Sequence, residues 1–175
     1  MLLSMAVTEG IGFKRGKRER GHKLDFIDVR RAYFHAEARR NVFVQLPPED
    51  YQEGMCGMLV KAMYGTRDAA QNWEFEYCEF MESAGFRRGT ATPCSFYNKE
   101  KDLRAVVHGD DFTILGSESE LDWFRRTISE RYEVKFRGRI GPQREDDKSI
   151  IILSRIVAWT TEGIQIEADK DMQKY

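Results

Sequence analysis

Two short apolar runs, Leu103–His108 and Phe112–Leu115, flank the tripeptide Gly109-Asp110-Asp111. A Gly-Asp pair between such runs predicts a tight β-hairpin. That hairpin would set two acids side by side at its tip, at the end of whatever sheet it joins. Gly109 can take the positive φ that a sharp turn demands. Neighbouring carboxylates repel, so the pair invites a cation, and hard oxygen ligands suit Mg²⁺ or Mn²⁺. Asp and Gly are also ordinary turn residues, and the motif alone is more often a turn than a metal site.

The flanking sequence predicts the layers around this hairpin. Lys23–Val29 alternates as a strand, with Leu24 and Phe26 inward and Ile27 a further inward candidate. Val42–Leu46 reads as a second strand stopped by Pro47-Pro48, Met58–Met63 as a third apolar run, and Cys94–Asn98 as a short strand. Asp68–Ala84 is the strongest helix, with Trp73, Tyr77, Phe80, Met81 and Ala84 on one stripe. Those aromatics read as core rather than as a ligand platform. Gly85 sits at the expected left-handed C-cap, with Phe86 folding back. Ser117 and Glu120 have the spacing of a capping box for a helix that buries Leu121, Phe124 and Ile128. Ser149–Trp159 and Ile164–Glu167 read as a hairpin turning at Thr161-Glu162-Gly163, and residues 2–9 as the end of a helix. The order of elements is α+β, with helices packed on one face of an antiparallel sheet.

A strong cation site needs a third carboxylate. Asp28 ends the 23–29 strand, and if that strand lies beside the 103–115 hairpin then Asp28 and Asp110 meet at one edge. Two ions roughly 3.5–4 Å apart could then activate a hydroxyl and stabilise a departing phosphate oxygen. Asp25 is a rival that spacing alone does not exclude.

Composition narrows the setting. The 175 residues suit one domain, and 41% hydrophobic with 12% aromatic residues suffices for a core. Net charge is −1, yet residues 12–40 hold ten Lys/Arg against four Asp/Glu. That segment either faces a phosphate backbone or is a solvated charged loop. Cys56, Cys78 and Cys94 form no C-x-x-C pair, which fits a reducing, intracellular setting, cytoplasmic or nuclear. No apolar run approaches the ~20 residues of a membrane span, so no membrane partner is expected.

Several segments, taken in order, resemble the reverse transcriptases of copia-type LTR retrotransposons. Asp28-Val29-Arg30-Arg31-Ala32-Tyr33-Phe34 is similar to their first catalytic motif, Asp-Val-x-x-Ala-(Tyr/Phe)-(Phe/Leu). Asn41-Val42-Phe43-Val44-Gln45-Leu46-Pro47-Pro48 resembles the strand that follows it. The segment Lys61-Ala62-Met63-Tyr64-Gly65-Thr66-Arg67-Asp68-Ala69-Ala70-Gln71-Asn72-Trp73 resembles Lys-x-Leu-Tyr-Gly-Leu-Lys-Gln-Ala-Pro-Arg-x-Trp. Gly85-Phe86, Pro93-Cys94-Ser95-Phe96-Tyr97 and His108-Gly109-Asp110-Asp111 continue the series, the last in place of Tyr-Val-Asp-Asp.

This resemblance runs the length of the chain and selects Asp28 over Asp25. It implies a polymerase palm-like sheet: residues 1–22 as a remnant of fingers and connector, 23–135 as palm core, and 136–175 as the end of the palm with a primer-grip-like hairpin and no thumb. It implies that Asp28, Asp110 and Asp111, with the Val29 carbonyl, hold two Mg²⁺ or Mn²⁺ ions. Tyr33 would exclude a ribose 2′-OH, and Tyr64, Gly65 and Arg67 would lie against nucleotide and template. Implied partners are an RNA or DNA template-primer, dNTPs and other segments of a Pol polyprotein.

Departures from the pattern predict weak or lost activity in this fragment. His108-Gly109 replaces Tyr-Val, Asp68 and Ala70 replace Gln and Pro, and Leu153-Ser154-Arg155 stands where Phe-Leu-Gly is frequent. Two rival readings are a GGDEF-like cyclase palm, whose upstream signature is missing, and a non-catalytic nucleic-acid-binding remnant.

Overall fold

The structure, a computed structural model, describes residues 1–168. Along the chain run α1 (Leu2–Ala6), β1 (Lys23–Val29), β2 (Phe43–Val44), β3 (Gly57–Met58), α2 (Ala69–Ser83), β4 (Arg87–Arg88), β5 (Ser95–Asn98), β6 (Leu103–His108), β7 (Asp111–Gly116), α3 (Glu118–Arg131), β8 (Val134–Ile140), β9 (Ser149–Ile152), β10 (Arg155–Trp159) and β11 (Ile164–Ala168). The main sheet is antiparallel in the order β4-β5-β6-β7-β1-β8. The class is α+β, as the element order predicts.

Burial on both faces defines β1. Ile27 and Val29 join α2 and α3 in one core, packing near Trp73, Met81, Phe112, Ile114, Leu121, Phe124 and Ile128. Leu24 and Phe26 point the other way, into a smaller core with Leu2, Ala6, Leu115, Ile140, Val157 and Trp159. This is the period-2 alternation of a strand with apolar residues on both sides. The two long helices share one face as expected. The short α1 lies on the opposite face, beside the three-stranded sheet β11-β10-β9.

Local chemistry sets the element ends. Gly85 takes φ +82°, and Phe86 N–H donates to the Met81 carbonyl at 3.0 Å while its ring is buried, closing α2 as predicted. The capping box before α3 does not form. Ser117 sits at the cap, but its Oγ lies 3.3 Å from Ser119 Oγ, and Glu120 instead accepts from Lys101 at 3.1 Å.

Three other expectations are corrected. The 42–46 and 58–63 runs contribute only the two-residue strands β2 and β3, paired with each other outside the main sheet, with Phe43 and Met58 exposed. The 149–159 run breaks into β9 and β10 at Leu153-Ser154. The strand β8, not anticipated, is the edge of the main sheet, so the expected boundary after residue 135 falls inside a strand. Of the expected 136–175 segment, residues 169–175 lie outside the described residues.

The β9–β10 connection has Leu153 at φ 49° and Ser154 at φ 58°, the signature of a two-residue type I′ turn. A leucine held there costs about 1–2 kcal/mol, and Leu153 is exposed. Replacing the pair with Asn-Gly (Leu153→Asn, Ser154→Gly) is expected to raise unfolding stability by about 1 kcal/mol, measured by urea denaturation. An unchanged or lower midpoint contradicts this account of the turn.

Candidate metal and nucleotide site

The site begins with strand register. In the β1–β7 pairing Asp28 stands directly opposite Asp111, and His108 stands opposite Asp111 on its other side. Alternation turns Phe112 and Ile114 toward the helices, so Asp111 and Asp28 share the other face. The β6–β7 turn is tied down twice. Val29 N–H donates to the Asp110 carbonyl at 2.9 Å, and the indole N–H of buried Trp73 donates to the Gly109 carbonyl at 2.7 Å. Gly109 has φ +62° with open space around its Cα, which meets the turn requirement read from the sequence.

Like charges placed this close need compensation. Burial, with Asp110 and Asp28 nearby, pushes the Asp111 carboxyl above its usual range, while the nearby Arg137 opposes the shift. Its Oδ1 is buried and accepts no hydrogen bond. The Arg137 guanidinium spans the pair, hydrogen-bonding Asp28 through Nη2 and reaching Asp111 Oδ1 with Nε at 3.5 Å. An orphaned carboxylate oxygen beside a second carboxylate is a donor set that fits a hard divalent cation.

The expected convergence of three carboxylates is met in part. Asp28 and Asp111 come together. Asp110 is exposed at the turn and engages β1 through its backbone carbonyl, and among the described residues no three acidic, His or Cys groups are grouped to hold a metal. Val29 is fully buried. The rival Asp25 is removed from contention because it points to the helix face and is 1% exposed. There it accepts from Arg125 Nε at 2.6 Å and Arg139 Nη2 at 3.0 Å.

The nucleotide-contact candidates form a second cluster beyond β1. Arg31, in the left-handed region at φ 54°, starts a short 3-10 turn that carries Tyr33. Glu133 stitches that bend by pairing with both Arg30 and Arg31, which hold its carboxyl below the usual range. The Tyr33 and Tyr64 rings meet at 4.3 Å between centroids, and Phe34 contacts Tyr64 edge-on at 5.4 Å. Gly65 follows at φ +87°, a backbone state that favours glycine, and Arg67 is exposed on the same turn. Asp68, where the family pattern has Gln, takes a two-pronged contact from Arg40 at 3.0 Å and 3.0 Å.

Sequence reasoning missed Arg137 and the polar role of Trp73. The signal for β8 was present, since Val134, Phe136 and Ile140 alternate with Lys135 and Arg139. Nothing in the pattern marks Arg137 as the residue that turns toward Asp28. Trp73 is core, as its place on the aromatic stripe predicts, and its N–H finds a partner because α2 passes under the turn.

Two stability predictions separate the acids. Removing the Asp25 charge takes from Arg125 its carboxylate and leaves Arg139 with Asp122, so Asp25→Asn is expected to cost about 3 kcal/mol. A raised folded-state pKa means that the Asp111 contribution to stability is full below the ordinary carboxylate range and is lost as pH rises through the folded-state pKa. Asp111→Asn is therefore expected to raise the denaturation midpoint at pH 7, with the gain vanishing toward pH 3. A variant less stable than wild type at pH 7 contradicts the strained-carboxylate account.

Comparisons with known proteins identify the family. A family profile described as reverse transcriptase (RNA-dependent DNA polymerase) matches residues 17–142. The retrovirus-related Pol polyprotein from transposon TNT 1-94 of Nicotiana tabacum is 22% identical over 131 residues, covering 70% of this chain. The match spans about 10% of that polyprotein's length. The chain belongs to the reverse transcriptase (RNA-dependent DNA polymerase) family, in the copia-type retrotransposon branch to which its ordered motifs point.

Proposed function

We propose that this chain is the palm-like catalytic portion of a retrotransposon Pol polyprotein, acting in template-directed DNA synthesis by metal-assisted phosphoryl transfer. The observation that carries this reading is the direct cross-strand pairing of Asp28 with Asp111 at the end of the central strands, with one buried carboxylate oxygen lacking a hydrogen bond. Asp28 and Asp111 would hold Mg²⁺ or Mn²⁺, and Asp110, exposed on the same turn, would join once an ion draws its side chain in. Bound divalent ions would supply charge neutralisation for the attacking hydroxyl and the departing pyrophosphate.

The remaining work is positioning by the chain's own residues. Trp73 and Val29 fix the turn that carries the acids through its Gly109 and Asp110 carbonyls. Tyr33, backed by Tyr64, would pack against the sugar of the incoming nucleotide and reject a 2′-hydroxyl, which separates RNA from DNA precursors. Arg67 and the basic 12–40 segment would meet phosphates of the nucleotide or the template-primer. One observation favours a non-catalytic nucleic-acid-binding reading instead. Arg137 already sets one positive charge against the two acids.

The test is single-nucleotide extension of a primer on an RNA template at high protein concentration, with Mg²⁺ or Mn²⁺. Slow incorporation is expected that requires the metal and falls by about a hundredfold or more in Asp28→Asn. Incorporation indifferent to that substitution contradicts the reading. Template binding without incorporation favours the non-catalytic alternative, and a cyclic dinucleotide formed from GTP would revive the cyclase.

A further inference from the structure

We propose that Arg137 is a tethered counter-cation, a latch that occupies the Asp28–Asp111 pair and must swing out before a divalent ion can bind. This rests on the metal-dependent reading above and adds a regulatory contact to that site.

The argument starts from strand register. In the β1–β8 pairing Phe26 faces Gly138 while Ile27 faces Phe136, so Arg137 is the extra residue of a β-bulge. Bulges re-aim side chains and recur beside functional sites. Regular alternation here sets Phe136 on the helix face, against Arg125 at 4.6 Å from the ring centroid. It sets Lys135 opposite Asp28 on the other face. The bulge adds a second cation to that acidic face, and this one reaches both carboxylates.

The contact is strong enough to compete and loose enough to release. The side chains of Asp28 and Asp111 are 17% and 16% exposed, so their charges are poorly screened, whereas that of Arg137 is 37% exposed and can withdraw into solvent. Its two contacts differ. The bond to Asp28 is direct, while Asp111 Oδ1 at 3.5 Å gains proximity without a hydrogen bond. Arg139, two residues on, contrasts with it, being 13% exposed and held by Asp25 and Asp122. A ligand that binds only the open state has its apparent affinity reduced by the fraction of molecules that are open. The latch therefore lowers metal affinity, and by reciprocity metal binding releases the arginine.

Calorimetric titration of Mn²⁺ into wild type and Arg137→Gln tests this, with Asp28→Asn made in both backgrounds. The expected result is binding about tenfold tighter in Arg137→Gln, abolished in both backgrounds by Asp28→Asn. Equal or weaker binding in Arg137→Gln overturns the latch while leaving the metal reading intact. No Asp28-dependent binding in either protein overturns both. A second measurement needs no substitution: phenylglyoxal labelling of wild-type Arg137, read by peptide mass spectrometry. Labelling is expected to rise several-fold on adding Mn²⁺. Labelling indifferent to Mn²⁺ overturns the latch even if Arg137→Gln fails to fold.

Discussion

The antiparallel register between β1 and β7 puts Asp28 opposite Asp111, and the rest of this end of the molecule answers the cost of that placement. Two carboxylates in a half-buried position repel each other and lose hydration. The chain compensates with a guanidinium from the neighbouring strand, delivered by a bulge. It keeps one oxygen of Asp111 without a hydrogen bond. Charges arranged only for stability would more readily resemble Asp25, a carboxylate of the same strand that accepts from two arginines on the helix face.

That strained pair persists because the scaffold beneath it leaves it little room to relax. β1 and its partner β7 both place apolar residues in the two cores, so the register of β1 cannot slip by a residue without burying Asp28 among the helices. Trp73 and Val29 hold the turn from beneath through two carbonyls. A tight turn carrying adjacent acids would otherwise open to separate them. The packing of α2 is thus coupled to the geometry of the acids through the Trp73 indole N–H and the contacts of Trp73 and Tyr77 with Phe112, the neighbour of Asp111.

Much of this was legible in the residues, for identifiable reasons. Apolar alternation placed β1 and β6 at their observed bounds, and the aromatic stripe with Gly85 placed α2, because period and capping are local signals. The acids were found by the Gly-Asp-Asp turn and the motif around Asp28. Three features were hidden. The bulge at Arg137 is a property of pairing between strands 109 residues apart in sequence at the Asp28 contact. The fate of Asp25 depended on Arg125 and Arg139, two arginines with nothing in their local pattern to mark them. The weak β2–β3 pairing reflects how little of that segment finds a core, since Phe43 and Met58 remain exposed. The failed capping box is a reminder that Ser117 and Glu120 each had another partner within reach.

The central claim is that Asp28 and Asp111 form a cation site to which Arg137 is the resting occupant. The most direct measurement is anomalous diffraction from crystals soaked in Mn²⁺. The account predicts a peak between the Asp28 and Asp111 carboxylates, with the Arg137 guanidinium displaced from both. Arg137 still bridging the two acids, with manganese absent there at saturating concentration, would contradict it.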